Sequence, residues 1–340
     1  MTSRQLTPTA PNRVPTLSEI FRPVSRKLSL VDRALRSWPG SSSQVVRRLA
    51  GGTISRRGKL IRPGMLLLIT GHLGYRDGLD IPLAAAVEGI HQASLIHDDI
   101  IDRSDFRRGE QTALQRFGPD YSLLLGDFFF IRSVASSLSM RDREIPRLLA
   151  EAARLMIEGE MEELAASYNF NISRAGYLKI IEKKTASLFQ TTCRLAGRLG
   201  RAGKKEMKVL EEYGLNLGLA FQVTDDLLDL VGQPSRTGKP VFSDLKEGRV
   251  TLPLILALKK ADSVGRLKLT ALLEKIKNDP DKQLWPELLS QLRDTGAFEQ
   301  TFRQAASFTA KARSAAMRLR PSLYRQSLLQ LADFVLWREQ

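Results

Sequence analysis

From residue 60 to the C-terminus, apolar residues recur with the period of an α-helix in one segment after another. The segments are 60–72, 81–102, 121–136, 143–166, 174–199, 204–230, 251–260, 265–277, 283–292, 298–317 and 320–338. The breaks between them hold Gly, Pro, Asp or Asn, as in GYRDG, NFN and QPSRTG. Alternating strand patterns are scarce, which argues against a sheet-based α/β enzyme. The pattern predicts an all-α helical bundle, a fold whose core can house ligands supplied by facing helices. With 340 residues, 43% of them hydrophobic, the chain has ample material for a large core.

Two of these helical segments carry the same arrangement of acids, Asp98-Asp99-Ile100-Ile101-Asp102 and Asp225-Asp226-Leu227-Leu228-Asp229. Each helical residue advances the direction by about 100°, so Asp98 and Asp102 share a face and Asp99 lies on its flank. Asp225, Asp226 and Asp229 repeat that relation. Six carboxylates turned to one space repel unless divalent cations stand between them. Mg²⁺ suits such a place because it takes hard oxygen ligands, keeps several waters and is commonly completed by phosphate oxygens. The expected chemistry is therefore that of a diphosphate held by metal.

Basic residues complete the pattern. In SRRGKLIRPG, Lys59 and Arg62 are three residues apart and would serve one anion if both lay in the first turn of a helix. Arg107 and Arg108 follow the first acidic run, and paired guanidinium groups there can reach two different diphosphates. Lys184, Thr185 and Gln222 add a cation and two polar groups, and Lys239 sits in a Gly/Pro-rich loop after the second run. One cysteine, Cys193, excludes a disulfide framework or thiolate cluster and points to a reducing, cytoplasmic setting. No apolar run is long enough to cross a bilayer; GMLLLIT and SLLLGDFFFI are too short. The net charge of +15 favours anionic substrates or anionic lipid. Nucleic acid is a weaker reading, since no recognition motif accompanies the charge. Residues 1–40 mix Pro, Ser, Thr and Arg, with Pro8, Pro11 and Pro15 breaking any amphipathic helix at their start. They are expected to form a flexible or loosely docked arm, or a targeting segment, ahead of a domain at 41–340.

The chain resembles the trans-type polyprenyl diphosphate synthase family. GKLIRP at 58–63 is similar to the family's GKRxRP run, and HQASLIHDDIIDRSDFRRG at 91–109 to its first aspartate-rich region. KTASLF at 184–189 is similar to its KT segment, FQVTDDLLD at 221–229 to its second aspartate-rich region, and GKPVFSDLKEGRVTLPLI at 238–255 to the segment that follows. The resemblance runs in family order from about residue 50 to the C-terminus. It implies antiparallel helices around a deep central cavity, paired as a homodimer, and in some long-chain members a small partner subunit.

The resemblance also implies roles. Asp98, Asp99, Asp102, Asp225 and Asp229 would hold Mg²⁺, about three ions in turnover, with Asp226 acting through water. Arg107, Lys184 and Lys239 would grip an allylic diphosphate such as farnesyl diphosphate. Lys59, Arg62, His91 and Arg108 would grip isopentenyl diphosphate, and Thr185 and Gln222 would orient groups around the allylic cation. His97 has no direct role assigned. Ala93 and Ser94, small residues five and four positions before Asp98, leave the hydrocarbon tunnel unplugged. The expected product is accordingly long, about C30 to C50, with a quinone side chain or carrier lipid as its destination. Phe128, Phe129 and Phe130 could close the tunnel from another helix, which keeps a shorter farnesyl or geranylgeranyl product open. A terpene cyclase shares the acidic helices but not the GK and RRG signals. Three residues depart from the family pattern: Leu60 for Arg, Phe242 for Gly and Arg249 for Lys.

Overall fold

Thr16 starts the helical part of the chain. Its hydroxyl accepts from the Glu19 N–H, and the Glu19 carboxylate accepts from the Thr16 N–H at 2.8 Å, a reciprocal cap for the first turn. The computed structural model describes residues 13–40, 43–54, 58–107, 109–232, 242–278 and 282–338. After the short α1 (Leu17–Ile20) come α2 (Ser25–Ser37), α3 (Gln44–Ile54), α4 (Ile61–His72) and α5 (Asp80–Ile101). A two-residue hairpin, β1 (Phe106–Arg107) with β2 (Glu110–Gln111), is the one sheet among the described residues. It leads into α6 (Ala113–Phe117), α7 (Pro119–Leu138), α8 (Glu144–Ala165) and α9 (Arg174–Ile181). A π-helical turn over Glu182–Ala186 joins α9 to α10 (Ser187–Leu199), and α11 (Lys204–Val231) carries the second acidic run. The chain closes with α12 (Ser243–Lys246), α13 (Leu252–Lys260), α14 (Ser263–Asn278), α15 (Trp285–Asp294), α16 (Ala297–Met317) and α17 (Leu323–Trp337).

The expected all-α bundle is what forms. Glycines set its closest approaches. A Cβ on Gly126 of α7 would run into the His97 ring of α5, and one on Gly89 of α5 would meet Ser133 of α7 and the Trp38 ring. Those two contacts make α5 and α7 antiparallel neighbours, and α8 returns alongside, parallel to α5. Gly214 and Gly218 of α11 press in the same way on Phe189 and Ala186, which brings the KT segment against the second acidic run. No helix among the described residues is long and apolar enough to cross a membrane.

Two expectations need correction here. The loose arm expected over 1–40 is, from Leu17 onward, helical and seated in the core: Ile20 and Val31 are fully buried, and Leu35 and Trp38 nearly so. Its many arginines hide an apolar stripe that fits α5, and Lys27 reaches the buried Asp80 at 2.5 Å. The continuous helix expected over 174–199 is interrupted by the π turn, which period counting reads as unbroken helix.

Candidate active site

A cavity of about 550 Å³ opens between α5, α8, α9, the π turn and α11. It is lined by Asp98, Asp102, Asp225, Asp226, Glu160 and Glu163, with Arg62, Arg107, Lys184 and Arg249 among them. Leu95, Met156 and Ile157, about a turn nearer the N-termini of α5 and α8, add apolar surface, as do Ile101 and Leu164 beside the acids. The cavity therefore offers charged groups and apolar walls together.

The first acidic run splits in two. Asp98 and Asp102 face the cavity together, as the helical spacing requires. Burial raises the Asp98 carboxyl to about 6, against the pull of Lys184 and Arg107. Asp102 ends α5 and accepts from Arg249 Nη1 at 3.1 and 3.2 Å. Asp99, one residue round the helix, is buried outside the lining and accepts from Arg107 Nε at 2.6 Å. The second run splits likewise. Asp225 faces the cavity and accepts from Arg338 Nη2 at 3.2 Å. Asp226 is buried, accepting from the Tyr177 hydroxyl at 2.5 Å and Gln222 Nε2 at 2.7 Å; burial first, then Asp244, holds its pKa well above the ordinary range. Asp229 lies outside the lining. It caps α12, accepting from Ser243 Oγ at 2.5 Å and from the N–H groups of Ser243 and Asp244 at 3.1 and 3.2 Å. The expectation that all six carboxylates face one space is thus corrected: Asp99 and Asp229 are taken up by local partners, because a neighbouring hairpin and a neighbouring helix start compete for them.

The π turn aims the KT segment inward. Gly159 of α8 makes this possible, since a Cβ there would come within 2.5 Å of the Lys184 backbone nitrogen. Lys184 Nζ lies 2.6 Å from Glu160 and also pairs with Glu163. Burial works against its charge, but Glu163, Asp98 and Glu160 outweigh it and raise the pKa. The Thr185 hydroxyl donates to Gln222 Oε1 at 2.7 Å, so Gln222 links Thr185 to Asp226.

At the α4 side, Leu60 takes a left-handed conformation, with φ of 47°, and turns the chain into the helix. Lys59 therefore precedes α4 and is exposed, while Arg62 is buried within it, so the two do not share a first turn. Arg62 stacks on the Phe189 ring at 4.3 Å, its Nε has no hydrogen-bond partner, and burial lowers its pKa to about 10. Glu88 opposes that fall, and the guanidinium stands on the cavity wall. Phe189 packs on Phe221 at 5.4 Å, and Arg338 covers the far side of Phe221 at 3.9 Å. His91 and Ser94 line the same cavity. Ala93 does not: it is a core residue, turned toward α7. His97 contacts the Leu123 carbonyl at 3.2 Å and Asp127 at 3.5 Å. Phe129 is fully buried against Trp38, and Phe128 and Phe130 are half-buried beside it. Arg108 and Lys239 lie outside the described residues.

Sequence reasoning missed Glu160, Glu163, Tyr177, Asp244 and Arg338, and assigned Arg249 no contact. Glu160 and Glu163, on one helix face beside a glycine, carried a signal in their spacing. Arg338 carried none, since only the tertiary fold returns the C-terminus to Asp225.

Hard oxygen donors on two helices, facing a common space with Arg107, Lys184 and Arg249 around it, fit Mg²⁺. Among the described residues no three acids, histidines or cysteines converge into a metal centre of their own. The expected ions would accordingly draw further ligands from water and substrate, and an ion count of three has no counterpart in the protein alone.

The polyprenyl synthetase family profile matches residues 43–290. The octaprenyl diphosphate synthase of Escherichia coli (strain K12) is 32% identical over 324 residues, covering 95% of this chain and 99% of its own. A short chain isoprenyl diphosphate synthase of Methanothermobacter thermautotrophicus is also 32% identical, over 93% of this chain and 98% of its own. The crystal structure of a polyprenyl synthase from Caulobacter crescentus, complexed with calcium and isoprenyl diphosphate, superimposes with a TM-score of 0.90 at 32% identity. It covers 97% of this chain and 100% of its own. The acid pairs on α5 and α11, the buried Arg62 and these likenesses together place the chain in the polyprenyl synthetase family, as a trans-prenyltransferase with the isoprenoid synthase fold.

Proposed function

We propose that this prenyltransferase adds isopentenyl diphosphate units to an allylic diphosphate such as farnesyl diphosphate, ending at a long product of about C30 to C50. The observation that supports this most is the lining of the cavity, where acids and cations share one space with apolar side chains such as Leu95, Met156 and Ile157. An amphiphile with a diphosphate head and a hydrocarbon tail fits such a lining.

In this reading Asp98, Asp102 and Asp225 hold Mg²⁺, joined by Asp99 and Asp229 if substrate draws them from their present partners. The bound metal supplies neutralising charge to the departing diphosphate. Arg107, Lys184 and Lys239 grip the allylic diphosphate, and Arg62, with Lys59, His91 and Arg108, grips isopentenyl diphosphate. Lys184 starts from the paired grip of Glu160 and Glu163, so its ammonium is already placed before substrate arrives. Thr185 and Gln222 face the carbon that loses diphosphate, their dipoles fixed by each other and by Asp226. The apolar wall keeps water from that carbon. The isopentenyl double bond attacks it, the new carbon–carbon bond forms, and the proton lost from the adduct passes to the departing diphosphate. No protein nucleophile is required.

A shorter product, about C15 to C20, is the second reading. It is favoured by the burial of Ala93 and the tight Phe129–Trp38 contact, which leave no open tunnel along that face of α5. Incubation with farnesyl diphosphate, radiolabelled isopentenyl diphosphate and Mg²⁺, followed by chain-length chromatography, separates the two. A ladder beyond C30 supports the first reading, about C20 the second, and no incorporation by the chain alone or with a small partner subunit overturns both. We also propose a homodimer through α7, where Leu124 and Ile131 are exposed large apolar residues. Sedimentation as a single chain would refute it.

A further inference from the structure

The charge of the chain is unevenly spread. Residues 1–59 carry twelve Lys and Arg against two acids, whereas the whole chain carries 52 against 37. Five of the twelve lie on α2 and the turn before it. Arg26 and Arg33, seven residues apart, share one stripe of α2, Arg22 stands in the 3₁₀ turn just before it, all three are exposed, and none of their side chains has an acidic partner among the described residues. The opposite stripe, with Val31 and Leu35, is buried.

The position of that stripe gives it meaning. Lys27 pairs with Asp80 and Trp38 packs on Gly89, so α2 runs parallel to α5 along its N-terminal half. The acids that would hold diphosphate lie at the other end of α5, about 27 Å away from Asp80 to Asp98 at 1.5 Å per residue. Along that axis the cavity lining on α5 begins at His91, and its acid-free side faces the α2 end. Leu79 at the start of α5 and Leu138 at the end of the antiparallel α7 are 40% and 67% exposed at the same end of the bundle.

We propose that the arginine face of α2, flanked by Leu79 and Leu138, docks the protein on an anionic lipid bilayer. Unpaired arginines beside exposed leucines match a boundary where charged headgroups meet acyl chains. A nucleic-acid duplex would use the arginines and leave the leucines in water. The surface would bring the acid-free side of the cavity to the membrane while the acids that would hold diphosphate stay in water. Only this orientation argument rests on the proposed function.

The test is flotation of the full chain with vesicles of phosphatidylcholine alone or with about 30% phosphatidylserine, at about 50 and 500 mM salt. The wild type is expected to float with the anionic vesicles at low salt and to be released at high salt. The Arg26→Glu/Arg33→Glu variant, with an unchanged melting temperature, is expected to bind at least tenfold more weakly. Should the double variant unfold, Arg22→Gln and Arg33→Gln singly should each reduce binding. No anionic-vesicle binding, equal binding by folded variants, or tighter retention by a DNA duplex overturns the proposal. Flotation reads no turnover, so elongation without vesicle binding sinks this inference and leaves the proposed reaction standing.

Discussion

Ala93 and Ser94 show how one helical step separates two fates. Ser94 lines the cavity, whereas Ala93 is packed in the core. Ser94→Phe is therefore expected to shorten the product on chromatography with little loss of stability. Ala93→Phe should overpack the α5–α7 contact and lower stability by about 1–3 kcal/mol in denaturant titration. Asp98→Asn should reduce turnover by about a hundredfold or more at unchanged melting temperature, since a buried carboxylate facing other charges is lost where charge develops. The helical spacing made Asp98 and Asp102 legible as a pair, and it correctly set Asp99 apart. It could not reveal that Arg107 would pivot back through the hairpin to hold Asp99, or that Asp229 would cap a helix fourteen residues on. Those partners are tertiary, and the same short acidic side chain serves metal, guanidinium or backbone N–H equally well.

At the level of elements, the helix boundaries from residue 60 onward agree closely with the apolar period, because long amphipathic helices state their own limits. The π turn at Glu182–Ala186 and the buried α2 escaped, one because an extra residue per turn barely disturbs the period, the other because arginines dominate its composition. Gly159→Ala tests the turn. Its Cβ meets the Lys184 backbone, so a loss of turnover beyond tenfold is expected together with a stability cost of about 1–3 kcal/mol. Phe242 tests the departure from the family's glycine. It sits at a φ of 65°, which costs about 1–2 kcal/mol for a side chain. Yet its ring is buried and stacked on Trp285 at 4.4 Å, and deleting such a ring costs about 3–5 kcal/mol. Burial wins, so Phe242→Gly should be destabilised by about 2 kcal/mol despite the relief of strain. A third joint is His72 at the end of α4, 2.8 Å from Ser322 at the start of α17. Burial, then Arg320, hold its pKa below the ordinary 6.5, with Glu206 opposing. The unfolded chain therefore binds the proton more readily. Stability should be full above pH 6.5 and fall as pH drops from there through the lowered folded value. His72→Gln should flatten that slope in melting curves taken across the range.

Across the whole molecule, residues 17–38 belong to the fold. Lys27→Met would strand the fully buried Asp80, whose Oδ1 already lacks a hydrogen-bond partner, and should cost about 3–5 kcal/mol by chemical denaturation. The π turn has a different consequence for the molecule as a whole. Its i→i+5 bonding accommodates one residue more than an α-helical turn. Removing one residue from 182–186 would let α9 and α10 rejoin as one continuous helix in register with α8 and α11. Lys184 and Thr185 would then be carried off the cavity wall. A lone deletion at that turn is therefore expected to leave the bundle folded by circular dichroism and to remove turnover, which would separate the scaffold from its catalysis.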